Sequence, residues 1–457
     1  MATLLVRFAP MPDESATGYL LRLSEANGFS SLLDLDLLAS LEHGVDGVAR
    51  VSSMLPGLSL QPLRGQVSYF RHLKTADRGG LNMKYWNGRR PRYCPECLAE
   101  KSYWRAAWDL TLMVACPIHR TRLRDSCPGC HRSLSWKRSQ ISACNCGHSL
   151  TDAPSEGADN AAITVSTYVS SALRDMTMPN ESLHRPDVCL LALPDLLSLL
   201  ILLGGYASGN GRKPTKIANL DDVSVATVVA NAAGLALIDW PRGFHELLRK
   251  VGRNGGSDES CARLTSRFGY FYTALYKRFG GTQFNFLRRE FDSFVRSEWL
   301  GQLAERNRRL SAETRRQHAW IPITSAAKLL GVKRSTVVTL IEQGALRGQM
   351  HTTVSGRTSG TVSRCSVDEF RNEKAKWMTL TEVRTMLKIS RRRAHALLHS
   401  GELRPIGSPS VDGSAVWTFS ATEVMSMIAP TFVTTSTGEH PVVGMDGNQN
   451  AGGKWKI

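Results

Sequence analysis

The chain is 457 residues long, 42% hydrophobic and 21% charged, with a formal net charge of +17 and a pI near 9.6. That length calls for two to four domains with substantial cores. The charge excess favours an anionic partner, most simply nucleic acid. The opening MATLLVRFAPMPDES has no long apolar core before a small-residue cleavage site, so no signal peptide is expected. The apolar run LLALPDLLSLLILLGG is broken by Pro194 and Asp195 and is shorter than the roughly 20 residues of a membrane span. A buried helix, no membrane partner and a cytoplasmic chain with reduced thiols are the expectation.

In chain order, DESATGYLLRLSEANG (13–28) reads as a helix capped by Asp13 or Ser15 and stopped by Gly28. It belongs to a helical N-terminal segment, 1–90, that ends in the basic YWNGRRPRY. Seven of the ten cysteines then lie between Cys94 and Cys146. They form four short pairs with one histidine: Cys94–Cys97, Cys116–His119, Cys127–Cys130 and Cys144–Cys146. A two-residue gap lets both side chains of a tight knuckle reach one ion, and two knuckles close the tetrahedron of sulfur and imidazole that structural zinc prefers. The intervening loops of 18 and 13 residues suit that role.

Sequential pairing places Cys94, Cys97, Cys116 and His119 on one zinc ion, and Cys127, Cys130, Cys144 and Cys146 on a second. Residues 91–150 thus form a double zinc-binding module. The C-x-C knuckle departs from ideal spacing, which leaves His131 or His148 as a substitute ligand. Both sets are closed, as structural rather than catalytic sites are. Cys189, Cys261 and Cys365 stand alone, and as isolated thiols need no metal role.

TDAPSEGADN (151–160) reads as a polar linker, and 161–304 as a helical domain with aromatic and aliphatic residues at helical spacing. An internal repeat follows. ITSAAKLLGVKRSTVVTLIEQGAL (323–346) aligns without gaps on LTEVRTMLKISRRRAHALLHSGEL (380–403). Each copy reads as helix, tight turn, second helix and a stopping glycine, then a strand-like stretch interrupted by Gly and Ser. Two winged helix-turn-helix units are expected, 321–376 and 377–430, before a disordered tail at 431–457.

In that geometry the second helix meets the major groove through its N-terminal residues. The groove-facing residues expected of the first unit are Lys333, Arg334, Ser335, Thr336 and Thr339, with Val337, Leu340 and Ile341 inward. Those of the second are Arg391, Arg392, Arg393, His395 and His399, with Ala394, Leu397 and Leu398 inward. Residues 301–405 hold 20 Lys or Arg against 8 Asp or Glu, so twelve of the seventeen net charges sit here. The fold class expected is mainly α with small zinc-binding modules: a zinc-finger N-terminal domain, a helical middle domain and tandem winged helix-turn-helix units.

The succession ES…GYLLRLSEANG, RYCPECL…YWRAAWDL…ACPIHRTRL…CPGC…CNCG and WPRGFHELL, over about residues 5–300, resembles the TniQ/TnsD family of transposition target-selection proteins. The resemblance implies recognition of an insertion site on double-stranded DNA. It also implies recruitment of an AAA+ ATPase regulator, which in turn brings the transposase. The alternatives are an adaptor docked on an RNA-guided CRISPR effector complex, or a zinc-containing transcriptional regulator. No G-x-x-x-x-G-K-[ST] occurs and no carboxylate cluster has metal-like spacing, so no enzyme is expected.

Overall fold

The computed structural model describes residues 4–39, 52, 54–63, 81–174, 186–208, 214, 217–253, 263–301, 303, 307–352, 358–407 and 416–428. The tail at 431–457 and Cys261 lie outside them. The described part is mainly helical, and the chain divides into two compact units, Met1–Arg364 and Cys365–Ile457.

In the first unit, α1 (Ala16–Ala26) is capped by Ser15, whose side chain accepts the Gly18 amide, so Ser15 rather than Asp13 starts the helix. Gly28, at φ 74°, turns the chain away. The α1 side chains Tyr19, Leu20, Leu21 and Leu23 are fully buried. Helix α2 (Leu32–Ala39) follows, and the described residues 81–159 are largely irregular and contain α3 (Pro95–Glu100), which begins with proline at its first position.

Helices α4 (Asn160–Leu173), α5 (Leu193–Ala207), α6 (Val223–Ile238), α7 (Arg242–Arg253), α8 (Leu264–Lys277), α9 (Asn285–Glu298) and α10 (Ala312–Gln317) build the rest of the core. Pro194 and Asp195 open α5 rather than interrupt it. Beyond them leucines are buried on nearly every side, as in a helix surrounded by protein. Gly204 lets α6 lie against α5, since a Cβ there would collide with the Val229 carbonyl. Among the described residues no single helix is long and apolar enough to cross a membrane.

One apolar cluster runs from Leu4 to Leu310 and joins the cysteine-rich stretch to the helices. Polar ties reinforce it. Buried Arg92 donates to the carbonyls of Thr111 (2.7 Å), Met113 (3.0 Å) and Leu220 (2.6 Å), and the Ser166 hydroxyl accepts the Val114 and Ala115 amides. The polar stretch 151–160, which reads as a linker, is pinned down: the Arg122 amide donates to Glu156 O (2.8 Å) and the Ala158 amide to Arg120 O (2.9 Å). Its lack of apolar period reflects backbone pairing along the first histidine-containing knuckle.

Both copies of the repeated sequence form a short strand, two helices, a trailing strand that pairs with the first, and a further helix. In the first copy, β1 (Trp320–Pro322), α11 (Ile323–Leu330) and α12 (Arg334–Glu342) precede a hairpin of β2 (Gly348–Thr352) and β3 (Thr358–Ser363), with sheet order β1-β3-β2, all antiparallel. Helix α13 (Arg364–Lys374) follows. In the second, β4 (Trp377–Thr379), α14 (Leu380–Leu387), α15 (Arg391–His399), β5 (Thr418–Ser420) and α16 (Ala421–Ser426) follow the same order, β4 pairing with β5. Both first helices end on a left-handed residue, Gly331 (φ 64°) and Lys388 (φ 52°). The trailing strand and helix of each copy lie within the bounds 321–376 and 377–430 expected of the units. The second copy closes on a small core of Val383, Leu397, Leu403, Phe419 and Val424.

Candidate metal centres and basic helices

Two of the knuckles fold alike for a local reason. After Cys116-Pro-Ile-His119, Arg120 adopts φ 59° and its amide returns to Cys116 O (2.8 Å), while the Cys116 amide donates to Thr121 O (2.7 Å). After Cys127-Pro-Gly-Cys130, His131 adopts φ 58°, its amide returns to Cys127 O (3.0 Å), and the Cys127 amide donates to Arg132 O (3.0 Å). His131 is thus the left-handed residue that closes a knuckle and stands outside the donor set. The Cys94 pair uses the start of α3, and the Cys144 pair turns at Gly147 (φ 83°). The His148 ring packs against Gly129, again outside the donors.

The donor atoms of Cys94, Cys97, Cys116 and His119 all lie within 4.8 Å of one another, and so do those of Cys127, Cys130, Cys144 and Cys146. In the first set His119 Nδ1 stands 3.5 Å from Cys94 Sγ, 3.3 Å from Cys97 Sγ and 3.5 Å from Cys116 Sγ, with Cys97 and Cys116 at 3.6 Å. In the second, Cys127 and Cys146 are 3.6 Å apart and Cys130 and Cys144 3.9 Å. A tetrahedral zinc with bonds of about 2.3 Å to sulfur and 2.0 Å to nitrogen has edges of roughly 3.5–3.8 Å. Both sets fit that ion and could hold it.

The electrostatics ask for a cation. In the first set Cys116 and Cys97 hydrogen-bond Cys94 and hold its thiol far down, while the same contacts push Cys97 far up. Sulfurs this close cannot all ionise unless positive charge sits among them. In the second, burial pushes Cys144 up to about 12, whereas backbone hydrogen bonding from His148 pulls Cys146 down to about 7.

Groups behind the donors match each set. His119 Nε2 meets Glu100 Oε1 at 2.9 Å, the carboxylate–imidazole contact that orients a metal-bound histidine. Behind the second set lies Arg138, fully buried between Trp104 and Trp136, its guanidinium 4.6 and 5.2 Å from their ring centroids. It donates only to carbonyls, Gln140 O (3.0 Å) and Ser135 O (2.7 Å), and its Nη2 has no partner. Burial pulls its pKa down to about 10, and the Cys144 thiolate is its foremost opposing charge. A buried cation with no hydrogen-bonded carboxylate is costly. Four thiolates around a divalent ion carry two net negative charges, so a tetrathiolate site suits Arg138, and a His131 or His148 substitution would remove one of those charges. No spacing in the sequence marks Glu100 or Arg138. Their roles depend on tertiary packing alone.

On α12 the structure places Lys333, Arg334, Ser335, Thr336 and Thr339 outward, with Val337 buried and Leu340 and Ile341 half-buried. On α15, Arg391, Arg392, Arg393 and His399 are exposed. His395, expected outside, is half-buried because it borders the inward line of Ala394, Leu397 and Leu398. Ser390 caps α15 by accepting the Arg393 amide, so the three arginines form its first turn. The lone thiols differ in exposure: Cys189 is half-buried, and Cys365 is exposed with its Sγ 3.1 Å from Glu369.

Residues 5–123 match the TniQ family. The match contains all four donors of the first set and ends before Cys127, so it is narrower than the resemblance over 5–300. No curated protein matches the chain.

Proposed function

The chain is a TniQ family protein, and from that premise we propose that it is a DNA-binding target-selection adaptor of a bacterial transposon. A TniQ domain implies a transposition-associated adaptor. The finer reading is ours: the two repeats are winged helix-turn-helix units that grip double-stranded DNA, and the N-terminal half, held by two zinc ions, presents the site to an AAA+ ATPase that brings the transposase. The chain itself does no chemistry.

The observation that carries this reading is the first turn of α15. Three consecutive arginines are exposed on the helix that the repeat geometry would lay in a major groove. Consecutive residues on a helix cannot all face base edges, so at least two would bind phosphates and position the chain. Thr336 and Thr339 on α12 offer hydroxyls and methyls for base reading.

A footprint of the purified zinc-loaded protein on duplex targets tests the proposal. Protection without guide RNA, lost on replacing Arg391, Arg392 and Arg393 by alanine while zinc content is unchanged, is the expected result. No protection without a guide RNA and effector complex would reject direct reading in favour of a CRISPR-docked adaptor.

A further inference from the structure

We propose that an open cleft of about 770 Å³ between the start of α8 and the first repeat binds phosphates of the DNA backbone beside the sequence that the helices read. This rests on the reading that the repeats bind duplex DNA. The cleft is lined by Arg263, Thr265, Asn307, Arg308, Arg309 and Thr324, among others, and no carboxylate is among its described lining residues. The three arginines come from two separate chain segments. All are exposed, and none makes an ion pair among the described residues.

Three cations gathered with no carboxylate among the described lining residues repel one another, and the Tyr272 and Tyr276 rings flank one of them. The Arg309 guanidinium lies 5.2 Å from the Tyr272 ring centroid and 5.7 Å from that of Tyr276. Tyr272 is itself fixed, its hydroxyl hydrogen-bonded to the Asn307 side chain at 2.9–3.1 Å. A guanidinium placed this way presents its fork to a phosphate at little ordering cost. Thr265 and Thr324, both exposed residues lining the cleft, add hydroxyl donors suited to phosphodiester oxygens.

Two features favour a polymer backbone over a small anion. The cleft is open and its cations sit at exposed positions, whereas a nucleotide site encloses most of its ligand. Its far wall, Pro322 and Thr324, is the entry to α11, the first helix of the repeat, which in a helix-turn-helix crosses the DNA backbone. A duplex seated on the first repeat would thus run its backbone past the arginines.

The test uses the full-length zinc-loaded chain with Arg263→Gln, Arg308→Gln and Arg309→Gln combined, binding measured against salt on a random-sequence duplex and on the footprinted duplex. At about 0.9 units per phosphate, the log–log salt slope should fall by roughly two to three units. The ratio of affinities for the two duplexes should stay constant, because phosphates carry no sequence information. An unchanged slope in this variant, with the wild type and an Arg391–393 alanine variant behaving as expected, would overturn the cleft and leave DNA reading intact. Binding of ATP by the wild type but not by the glutamine variant would reassign the cleft to a small anion. A wild-type chain that binds neither duplex would overturn both.

Discussion

The two ligand sets share a type of knuckle and could each hold a zinc ion, yet they are embedded differently. Cys94, Cys97 and Cys116 are buried in the core that also receives α1, and His119 is backed by a carboxylate. In the second set only Cys127 is buried, Cys146 is exposed, and the group behind it is a cation. The donor set explains the contrast. Three thiolates and an imidazole on a divalent ion leave one net negative charge, which tolerates an acid behind the histidine. Four thiolates leave two, which favour both water at the rim and a buried guanidinium. Burial, not ligand chemistry alone, then decides how much of the fold depends on each ion.

Removing one donor from each set should give the largest effects, and unequal ones. Metal binding to a structural site supplies apparent folding free energy on the order of 10–16 kcal/mol. Cys94→Ala opens a buried position in the shared core, so the N-terminal half should lose both its zinc and its cooperative melting. Cys146→Ala leaves three donors, and water can reach the fourth position. It should stay folded at moderate temperature while releasing one zinc per chain to a chelator much faster than wild type. Equal collapse of the two variants, read by zinc content and near-ultraviolet circular dichroism, would erase the contrast.

Acid separates metal loss from an opposing buried carboxyl beside the start of α1. Asp109 is buried, accepts a 2.5 Å hydrogen bond from Ser15 Oγ and has no partner on Oδ1. Burial raises its pKa from 3.8 to about 7, against the smaller opposite pull of the Ser15 hydroxyl. Between these values the unfolded chain has lost a proton that the folded chain keeps, so this group's contribution falls as pH rises from about 4 to 7. The zinc sites act the other way, because protonated ligands release metal as pH falls. Asp109→Asn keeps an acceptor for Ser15 without the charge. It should be more stable than wild type at pH 8, by on the order of 2–4 kcal/mol. The gain should vanish near pH 4. Urea melts at fixed zinc across that range give the difference directly, and a constant difference would show that Asp109 is not the titrating group.

What could be read beforehand follows from the range of the interactions. The two donor clusters were legible because a knuckle is a local object: proline inside the turn and two residues between ligands mark three of the four pairs, and the tighter Cys144–Cys146 pair was marked by its place after them. The repeat was legible for a like reason: its two helices, tight turn and stopping glycine are local, and the trailing strands β3 and β5 pair back onto strands earlier in their own copies. Hidden from the sequence were the contacts between distant segments. Arg92 reaching Leu220, Arg138 between two tryptophans and the cleft shared by Arg263 and Arg309 carry no local pattern. The linker at 151–160 misled because polar composition does not reveal which backbone groups are paired.

Arg138 gives the next effect in size. Arg138→Met preserves much of the packing between Trp104 and Trp136 but removes the positive charge facing the tetrathiolate. The second site should then lose affinity for zinc by about 10–100-fold, the usual cost of an outer group, while the first keeps its own. Chelator competition with two resolved release phases reads both sites in one experiment. Should both phases accelerate together, Arg138 would be acting through the common core instead of through charge.

The smallest effect belongs to Glu100, because more than half of its side chain is exposed. Its carboxylate fixes which nitrogen of His119 faces the sulfurs, Nδ1 inward and Nε2 outward, and makes that nitrogen a better donor. Solvent at Glu100 screens the interaction, and water can replace the carboxylate as the acceptor. Glu100→Gln should therefore speed zinc release from the first site by about 10-fold or less, the lower end of the outer-group range. The second site should not respond. Cobalt in place of zinc sharpens the reading, since its ligand-field bands report each donor set separately: only the three-sulfur, one-nitrogen spectrum should shift. A Glu100→Gln chain whose tetrathiolate spectrum moved equally would mean that the carboxylate acts on the module as a whole, and that the two sites are less independent than their different surroundings imply.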